Sequence, residues 1–139
     1  MLNDGKSFEK KIAQWLKKEN YYFQRFYDAR SCGGFTAARP ADYWVYKTPN
    51  LYFLELKSTI HTNIPYSNLT QLKTLKNVYM YNISSYFLMS FRTNVYAISA
   101  LDLYSYIVKT IDFKKSINES EANSIGIRLV KSVDLSLIL

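Results

Sequence analysis

The sequence has little cysteine, glycine or proline, and it contains no long hydrophobic run. Its one cysteine, Cys32, excludes an intramolecular disulfide framework, and no Cys/His cluster has the spacing of a zinc site. Four glycines, three prolines and 48% hydrophobic residues exclude collagen-like and low-complexity chains. No uncharged apolar run approaches the roughly 18 residues of a membrane span, and the first residues lack the apolar core of a signal peptide. We therefore expect one cytoplasmic domain without membrane association.

The excess of basic residues is the first positive signal. Lysine and arginine number 18 against 11 aspartates and glutamates, which gives a net charge of +7, and 17% of the residues are aromatic. This balance predicts a polyanionic partner, most simply nucleic acid, although a composition rich in Lys, Asn, Ile and Tyr also arises without one. Thirteen of the cations are lysines, which favour phosphate contact over the reading of bases.

Hydrophobic periodicity predicts alternating helices and strands. Helical spacing of apolar residues marks residues 4–20, 68–82 and 101–110. Alternating or aromatic-rich segments predict strands at 21–27, 42–46, 51–57, 86–91, 95–100 and 125–131. Loops are predicted at 29–39 and 58–67, a mobile polar stretch at 114–124, and a docked apolar tail at 133–139.

This order of elements predicts an α/β fold with a mixed β-sheet flanked by helices. The hairpins are antiparallel, and the helical crossover that follows residue 57 allows a parallel pair of strands. We expect one domain, with an N-terminal helix in residues 1–20, a core in residues 21–110, and a polar segment and tail in residues 111–139.

The informative constellation is Asp42, followed after twelve residues by Glu55-Leu56-Lys57. Glu55 and Lys57 share one face of a predicted strand, roughly 7 Å apart, and the short turn at 47–50 brings Asp42 to the same end of the hairpin. A carboxylate and an amine among apolar neighbours are costly unless they are partnered. We therefore predict a Mg²⁺ site, with Mn²⁺ as a substitute, in which Lys57 orients or deprotonates water or stabilises developing charge.

Simpler interpretations of the same residues stay open. Asp42 would cap backbone amides at the start of a strand, and Glu55 with Lys57 would form a salt bridge on a solvated face. A catalytically silent DNA-binding or assembly module, in which the acids are structural remnants, is a further alternative. Calorimetric titration with Mg²⁺ separates these interpretations, because retained carboxylates should bind the metal.

The Asp-x12-Glu-x-Lys pattern resembles the active site of the PD-(D/E)XK nuclease superfamily, with Pro40 one residue earlier than the name implies. Gly5-Lys6-Ser7-Phe8-Glu9 stands at the first helix, and Asn68-Leu69-Thr70-Gln71 stands before the next. In that order and spacing the chain resembles RecU-type Holliday-junction resolvases over about residues 5–107. The resemblance implies a restriction-endonuclease-like core, and the small size and short loop at 29–39 favour a phage origin.

The resemblance also implies a role for each matching residue. Asp42 and Glu55 match the metal-binding acids, Lys57 the catalytic lysine, and Glu9 the first-helix acid that completes the metal site. Gln71 matches a glutamine near the metal. Two alternatives remain: Glu9 as an acid that interacts with the helix dipole, and Gln71 as the partner of Asn68 in a capping box.

The function implied is a Mg²⁺-dependent endonuclease that resolves four-way DNA junctions by paired symmetric hydrolysis. It would act as a homodimer, because the twofold symmetry of a dimer matches that of the junction. A restriction- or repair-type nuclease acting on duplex or flap DNA is the alternative within the same fold. The cations expected to contact DNA are Lys6, Lys10, Arg30, Arg39 and Lys73.

Overall fold

A computed structural model of the protein describes residues 4–26, 39–129 and 133–139. The α-helices in these residues are α1 (Asp4–Lys18), α2 (Leu72–Asn77), α3 (Ala100–Thr110) and α4 (Glu119–Ile125). The strands are β1 (Tyr22–Arg25), β2 (Tyr43–Lys47), β3 (Asn50–Thr59), β4 (Asn63–Pro65), β5 (Ile83–Phe91), β6 (Asn94–Ser99), β7 (Ser116–Asn118) and β8 (Ile127–Arg128). Short 3-10 helices lie at Tyr66–Asn68, Val78–Tyr81 and Leu135–Leu137. None of the described helices is long and apolar enough to cross a bilayer.

Six of the described strands form one mixed sheet in the order β1-β2-β3-β5-β6-β8. β3 and β5 pair in parallel, and the other neighbours pair antiparallel. The parallel pair requires a crossover between its strands, and the segment that contains α2 supplies it. The predicted α/β fold with a mixed sheet flanked by helices is confirmed.

Each face of the sheet is covered by its own layer. On one face, Phe8, Ile12 and Leu16 of α1 are buried against Leu54 of β3 and Leu88 of β5. Their spacing of four residues produces the apolar stripe that the sequence predicts for this helix. We call this side the α1 face.

The opposite face carries the alternate residues of the same strands. Phe87 and Met89 of β5 pack there with Leu75 of α2, Leu103 of α3 and Ala122 of α4. Because side chains alternate along a strand, neighbouring residues of β3 and β5 belong to different layers. This alternation decides from which side each functional residue reaches the site.

The predicted loop at 58–67 is wrong in two places. β3 continues to Thr59, and Asn63–Pro65 forms β4, which pairs with β7 in a second, two-stranded sheet. Ile64 lies opposite Ile117 in this pairing, and both side chains are buried. The partner strand is more than fifty residues away, so local sequence carries no sign of it.

Two further expectations need correction. The predicted helix at 68–82 is broken into a 3-10 turn, the short α2 and a second 3-10 turn, which ends at Asn82 with a φ of 60°. The stretch at 114–124, predicted to be mobile, forms β7 and α4.

The docked tail is confirmed, because Leu135 and Ile138 are buried in the apolar cluster on the α1 face. Residues 29–38 of the predicted loop at 29–39 lie outside the described residues.

Candidate active site

Asp42 and Glu55 lie next to each other across the β2–β3 hairpin. The register pairs Tyr43 with Leu54, and the Asp42 amide donates a 3.1 Å hydrogen bond to the Leu54 carbonyl. The Leu56 amide in turn donates to Asp42 Oδ2 at 2.8 Å. Both side chains are buried, with 7% of Asp42 and 1% of Glu55 exposed. Two carboxyl groups are therefore held together inside the protein.

The surroundings of Glu55 disfavour its ionised form. Burial raises the pKa of Glu55 to about 8, and the hydrogen bond with Asp42 and the Asp42 charge act in the same direction, while Lys57 and Arg39 oppose them. Glu55 Oε1 has no hydrogen-bond partner among the described residues. A buried carboxyl pair with an unused oxygen fits a divalent cation, since Mg²⁺ is commonly held by one or two carboxylates.

Lys57 stands beside this pair. Its Nζ lies 3.6 Å from Glu55 Oε2, and its side chain is 24% exposed. The two residues share one strand face, as the alternation predicts, so a partly exposed lysine stands beside the buried acid. A cation in this position can contact an anion that approaches from outside.

Arg39 forms an ion pair with Asp42. Its Nη2 lies 3.0 Å from Asp42 Oδ1. The sequence predicts Arg39 as a DNA contact, whereas in the structure its guanidinium is directed at one of the predicted metal ligands. Arg39 therefore compensates the Asp42 charge in this state.

Glu9 is held by different partners from those of the other two acids. Its Oε1 lies 2.9 Å from Arg25 Nε. Burial raises the pKa of Tyr43 to about 12, assisted by the charge of Glu9 and by a hydrogen bond to it. Arg25 and Tyr43 are opposite each other in the β1–β2 register. Neither residue is among the sequence predictions, although Tyr43 directly follows Asp42.

The two glutamates approach Asp42 from opposite sides of β3. Glu9 belongs to α1, which packs on the face of Leu54, whereas Glu55 shares the alternate face with Phe53. No group of three or more His, Cys, Asp or Glu side chains arranged to hold a metal occurs in the described part of the chain. The structure thus brings together Asp42 and Glu55, and it does not gather Glu9 into one ligand cluster with them.

The remaining predicted residues lie at varying distances from this pair. Lys6 lines an open pocket of about 220 Å³ together with Glu9 and Asp42. Lys10 is exposed on α1, and Lys73 is exposed on α2. Arg30 lies outside the described residues.

Gln71 precedes α2 and does not form the capping box considered for it. Its side chain makes no capping hydrogen bond, and its Oε1 accepts one from Thr70 Oγ1 at 2.9 Å. Among the described residues, no hydrogen bond joins Gln71 to Asp42 or Glu55. Its role near the metal stays a prediction.

Comparison with known proteins identifies a similar fold. No family model and no curated protein matches this sequence. Among solved structures, the chain is similar to Hjc, a Holliday junction resolvase from the archaeal hyperthermophile Archaeoglobus fulgidus, with a TM-score of 0.61 and 16% identity. The similarity covers 88% of this chain and 93% of that chain. The two chains share one fold. In this chain, the mixed sheet flanked by helices places the Asp42–Glu55 pair at the end of the β2–β3 hairpin.

Proposed function

We propose that this protein is a metal-dependent, structure-selective DNA endonuclease that resolves four-way junctions. The observation that carries the proposal is the buried Asp42–Glu55 pair with Lys57 beside it. The similarity in fold to a solved Holliday junction resolvase supports the choice of substrate. The net charge of +7 supports a nucleic-acid partner.

Asp42 and Glu55 are the residues proposed to hold Mg²⁺, with Mn²⁺ expected to substitute. The buried Glu55 Oε1 supports this assignment, because it has no hydrogen-bond partner among the described residues. A bound divalent cation would neutralise charge on the scissile phosphate and lower the pKa of a water molecule. Glu9 as the third acid of the site stays a prediction, since its carboxylate pairs with Arg25.

Lys57 is proposed to act on the reacting phosphate. Its ammonium is partly exposed and neighbours Glu55, so it can donate a hydrogen bond to a phosphate oxygen or position the attacking water. Ionisation of Glu55 strengthens its attraction for Lys57 and so fixes the position of the amine. Lys57 is therefore expected to affect turnover more than binding.

The DNA is proposed to be recognised by shape and backbone charge, with Lys6, Lys10 and Lys73 among the phosphate contacts. The protein is proposed to act as a homodimer, with one site for each of two symmetric nicks. Three consecutive exposed apolar side chains in one 3-10 helix, Tyr79, Met80 and Tyr81, are compatible with a subunit interface.

The test compares cleavage of a four-way junction with cleavage of its separate duplex arms, with and without Mg²⁺. We expect the wild type to make two symmetric nicks in the junction, only with Mg²⁺, and to cleave the arms far more slowly. Asp42→Asn and Lys57→Ala should each lose on the order of a hundredfold or more in rate, because charge stabilisation at a phosphate supplies several kcal/mol. Asp112→Asn is the matched control, since Asp112 is exposed in a turn after α3 and should leave the rate unchanged.

Two results would contradict the proposal. Equal cleavage of junction and duplex arms would remove the structure selectivity. A wild-type rate for Asp42→Asn would remove the site assignment.

A further inference from the structure

A second polar groove lies beside the candidate active site. Its volume is about 230 Å³, and Phe8 and Ser58 line both this groove and the pocket that contains Glu9 and Asp42. The two cavities are therefore neighbours on the α1 face. The groove is lined by two cationic residues, Lys11 and Arg92, and by hydroxyl-bearing residues that include Ser7, Ser58 and Ser90.

The register of the parallel strands explains why hydroxyl groups gather here. Ser58 of β3 lies directly opposite Ser90 of β5. Along the α1 face, buried Leu54 and Leu88 lead towards these serines at the carboxyl ends of the strands. The carboxyl ends of parallel strands are a common place for ligands in α/β proteins. The side chains on this face thus change from apolar to hydroxyl-bearing where the strands reach the groove.

Arg92 occupies the turn between β5 and β6 in a backbone conformation that favours glycine. Its φ is 59°, which non-glycine residues seldom adopt. Its Nε donates a 3.2 Å hydrogen bond to the Ile60 carbonyl, and this uses one of the five N–H donors of the guanidinium. A strained conformation of this kind is often retained where the side chain has a function.

The groove has the chemistry of an anion site. Lys11 and Arg92 contribute positive charge, and no aspartate or glutamate is among the described residues that line the groove. Serine hydroxyls can donate to phosphate oxygens, as they do in many contacts with DNA backbones. An arginine in addition can donate two parallel hydrogen bonds to one phosphate.

We propose that this groove holds a phosphate of the DNA strand other than the scissile one, with Arg92 and Lys11 as its charged contacts. The strand would pass from the pocket of Asp42 along Ser58 to the β5–β6 turn. This inference rests on the proposed nuclease function and adds a direction to the path of the substrate. Arg92 and Lys11 are binding residues in it, and neither is placed at the reacting atoms.

Binding is measured with a labelled four-way junction in EDTA, where cleavage does not interfere, at several salt concentrations. The variants are Arg92→Gly and Lys11→Ala. Glycine removes the guanidinium and also relieves the positive φ, so Arg92→Gly should melt no lower than the wild type. Each variant is expected to bind about tenfold more weakly, and the slope of log affinity against log salt should fall by about one. Lys109→Ala is the control, because it removes one exposed cation from α3, on the other face of the sheet.

A second measurement locates the phosphate. Single phosphates near the cleavage position are replaced one at a time by uncharged methylphosphonate. We expect one position at which the replacement weakens binding by the wild type and has no further effect on Arg92→Gly.

The results separate this inference from the proposed function. If the wild type binds and cleaves junctions while Arg92→Gly and Lys11→Ala keep its affinity and salt slope, the groove assignment is overturned and the nuclease stands. The absence of any Arg92-dependent phosphate has the same meaning. If the wild type neither binds nor cleaves branched DNA, both are overturned.

Discussion

Glu55 is the residue at which the needs of folding and of the proposed chemistry conflict. Its side chain is 1% exposed and lies against a second carboxyl group, so the charged form is unfavourable without a cation. Lys57 and Arg39 offset part of this cost, but the pKa of Glu55 remains near 8. The raised pKa favours the protonated form of this carboxyl pair in the metal-free protein near neutral pH, and binding of the proposed metal ion would release that proton.

The raised pKa of Glu55 predicts how the stability of the metal-free protein depends on pH. The pKa is about 8 in the folded protein and 4.5 for an unperturbed glutamate, so between these values the folded state binds more protons than the unfolded state. The free energy of unfolding should then fall as the pH rises from about 4.5 to about 8 and level off above. Glu55→Gln keeps the shape without titrating, and should be less dependent on pH in this window. Melting temperatures measured in EDTA from pH 5 to 8.5 check this.

Glu19→Gln provides the control for that comparison, because Glu19 is exposed after α1 and its loss should leave the wild-type slope in place. If the melting temperatures of the wild type and of Glu55→Gln change equally with pH, Glu55 is already ionised in the folded protein.

At the scale of single residues, the sequence predicts the position of those site residues that local strand and turn geometry determines. A short turn and the alternation of side chains are enough to bring Asp42 beside Glu55, and to put Lys57 on the same face as Glu55. The side from which Glu9 arrives depends on how α1 packs on the sheet, which no local rule supplies. The pairing of Arg39 with Asp42 likewise depends on the path of the chain before β2.

The fourth helix shows, at the scale of an element, how polar residues can stabilise a segment. Asn118 accepts a hydrogen bond from the Glu121 amide, and Glu121 accepts one from the Asn118 amide, which completes a capping box. Lys114 and Tyr106 also contact the Glu121 carboxylate. The polarity that predicts a mobile stretch is therefore used in a hydrogen-bond network that fixes α4.

Asn118→Ala removes the cap of α4 and should lower the free energy of unfolding by about 1 kcal/mol, as the loss of an N-cap usually does. Urea denaturation of the purified variant measures the change. Asn123→Ala makes the same substitution at an exposed position inside the same helix, where alanine is the better helix former, so it should be neutral or slightly stabilising. Equal losses in the two variants would show that the cap contributes nothing specific.

Elements are predictable from the sequence when their signal is local. The α1 stripe and the strands β2, β3, β5 and β6 carry their own periodicity, and the structure places them close to the expected bounds. β4 and β7 carry no such periodicity, because each is three residues long and exists only through its pairing with the other. The broken helix around α2 is a similar case, since its apolar spacing continues through residues that adopt 3-10 turns.

At the scale of the whole molecule, the end of the chain completes the layer that carries Glu9. Leu135 and Ile138 are buried in the same apolar cluster as Phe8, Ile12 and Leu16 of α1. Lys47 Nζ also donates a 2.7 Å hydrogen bond to the Leu139 carbonyl, which ties the tail to β2. The apolar cluster on the α1 face therefore combines residues of α1 and of the tail with residues of the strands. The loss of tail contacts is expected to weaken the support of the candidate site.

Two leucines of one 3-10 helix test this contribution of the tail. Leu135 is fully buried, whereas Leu137 is 56% exposed, although both belong to the same three-residue turn. Leu135→Ala should lower the free energy of unfolding by about 2–5 kcal/mol, because it leaves a cavity in the apolar cluster that it shares with α1. Leu137→Ala should change it by less than about 0.5 kcal/mol, as surface substitutions usually do. Urea denaturation of both variants gives the comparison, and a loss below about 1 kcal/mol for Leu135→Ala would mean that the tail is not part of the folded core.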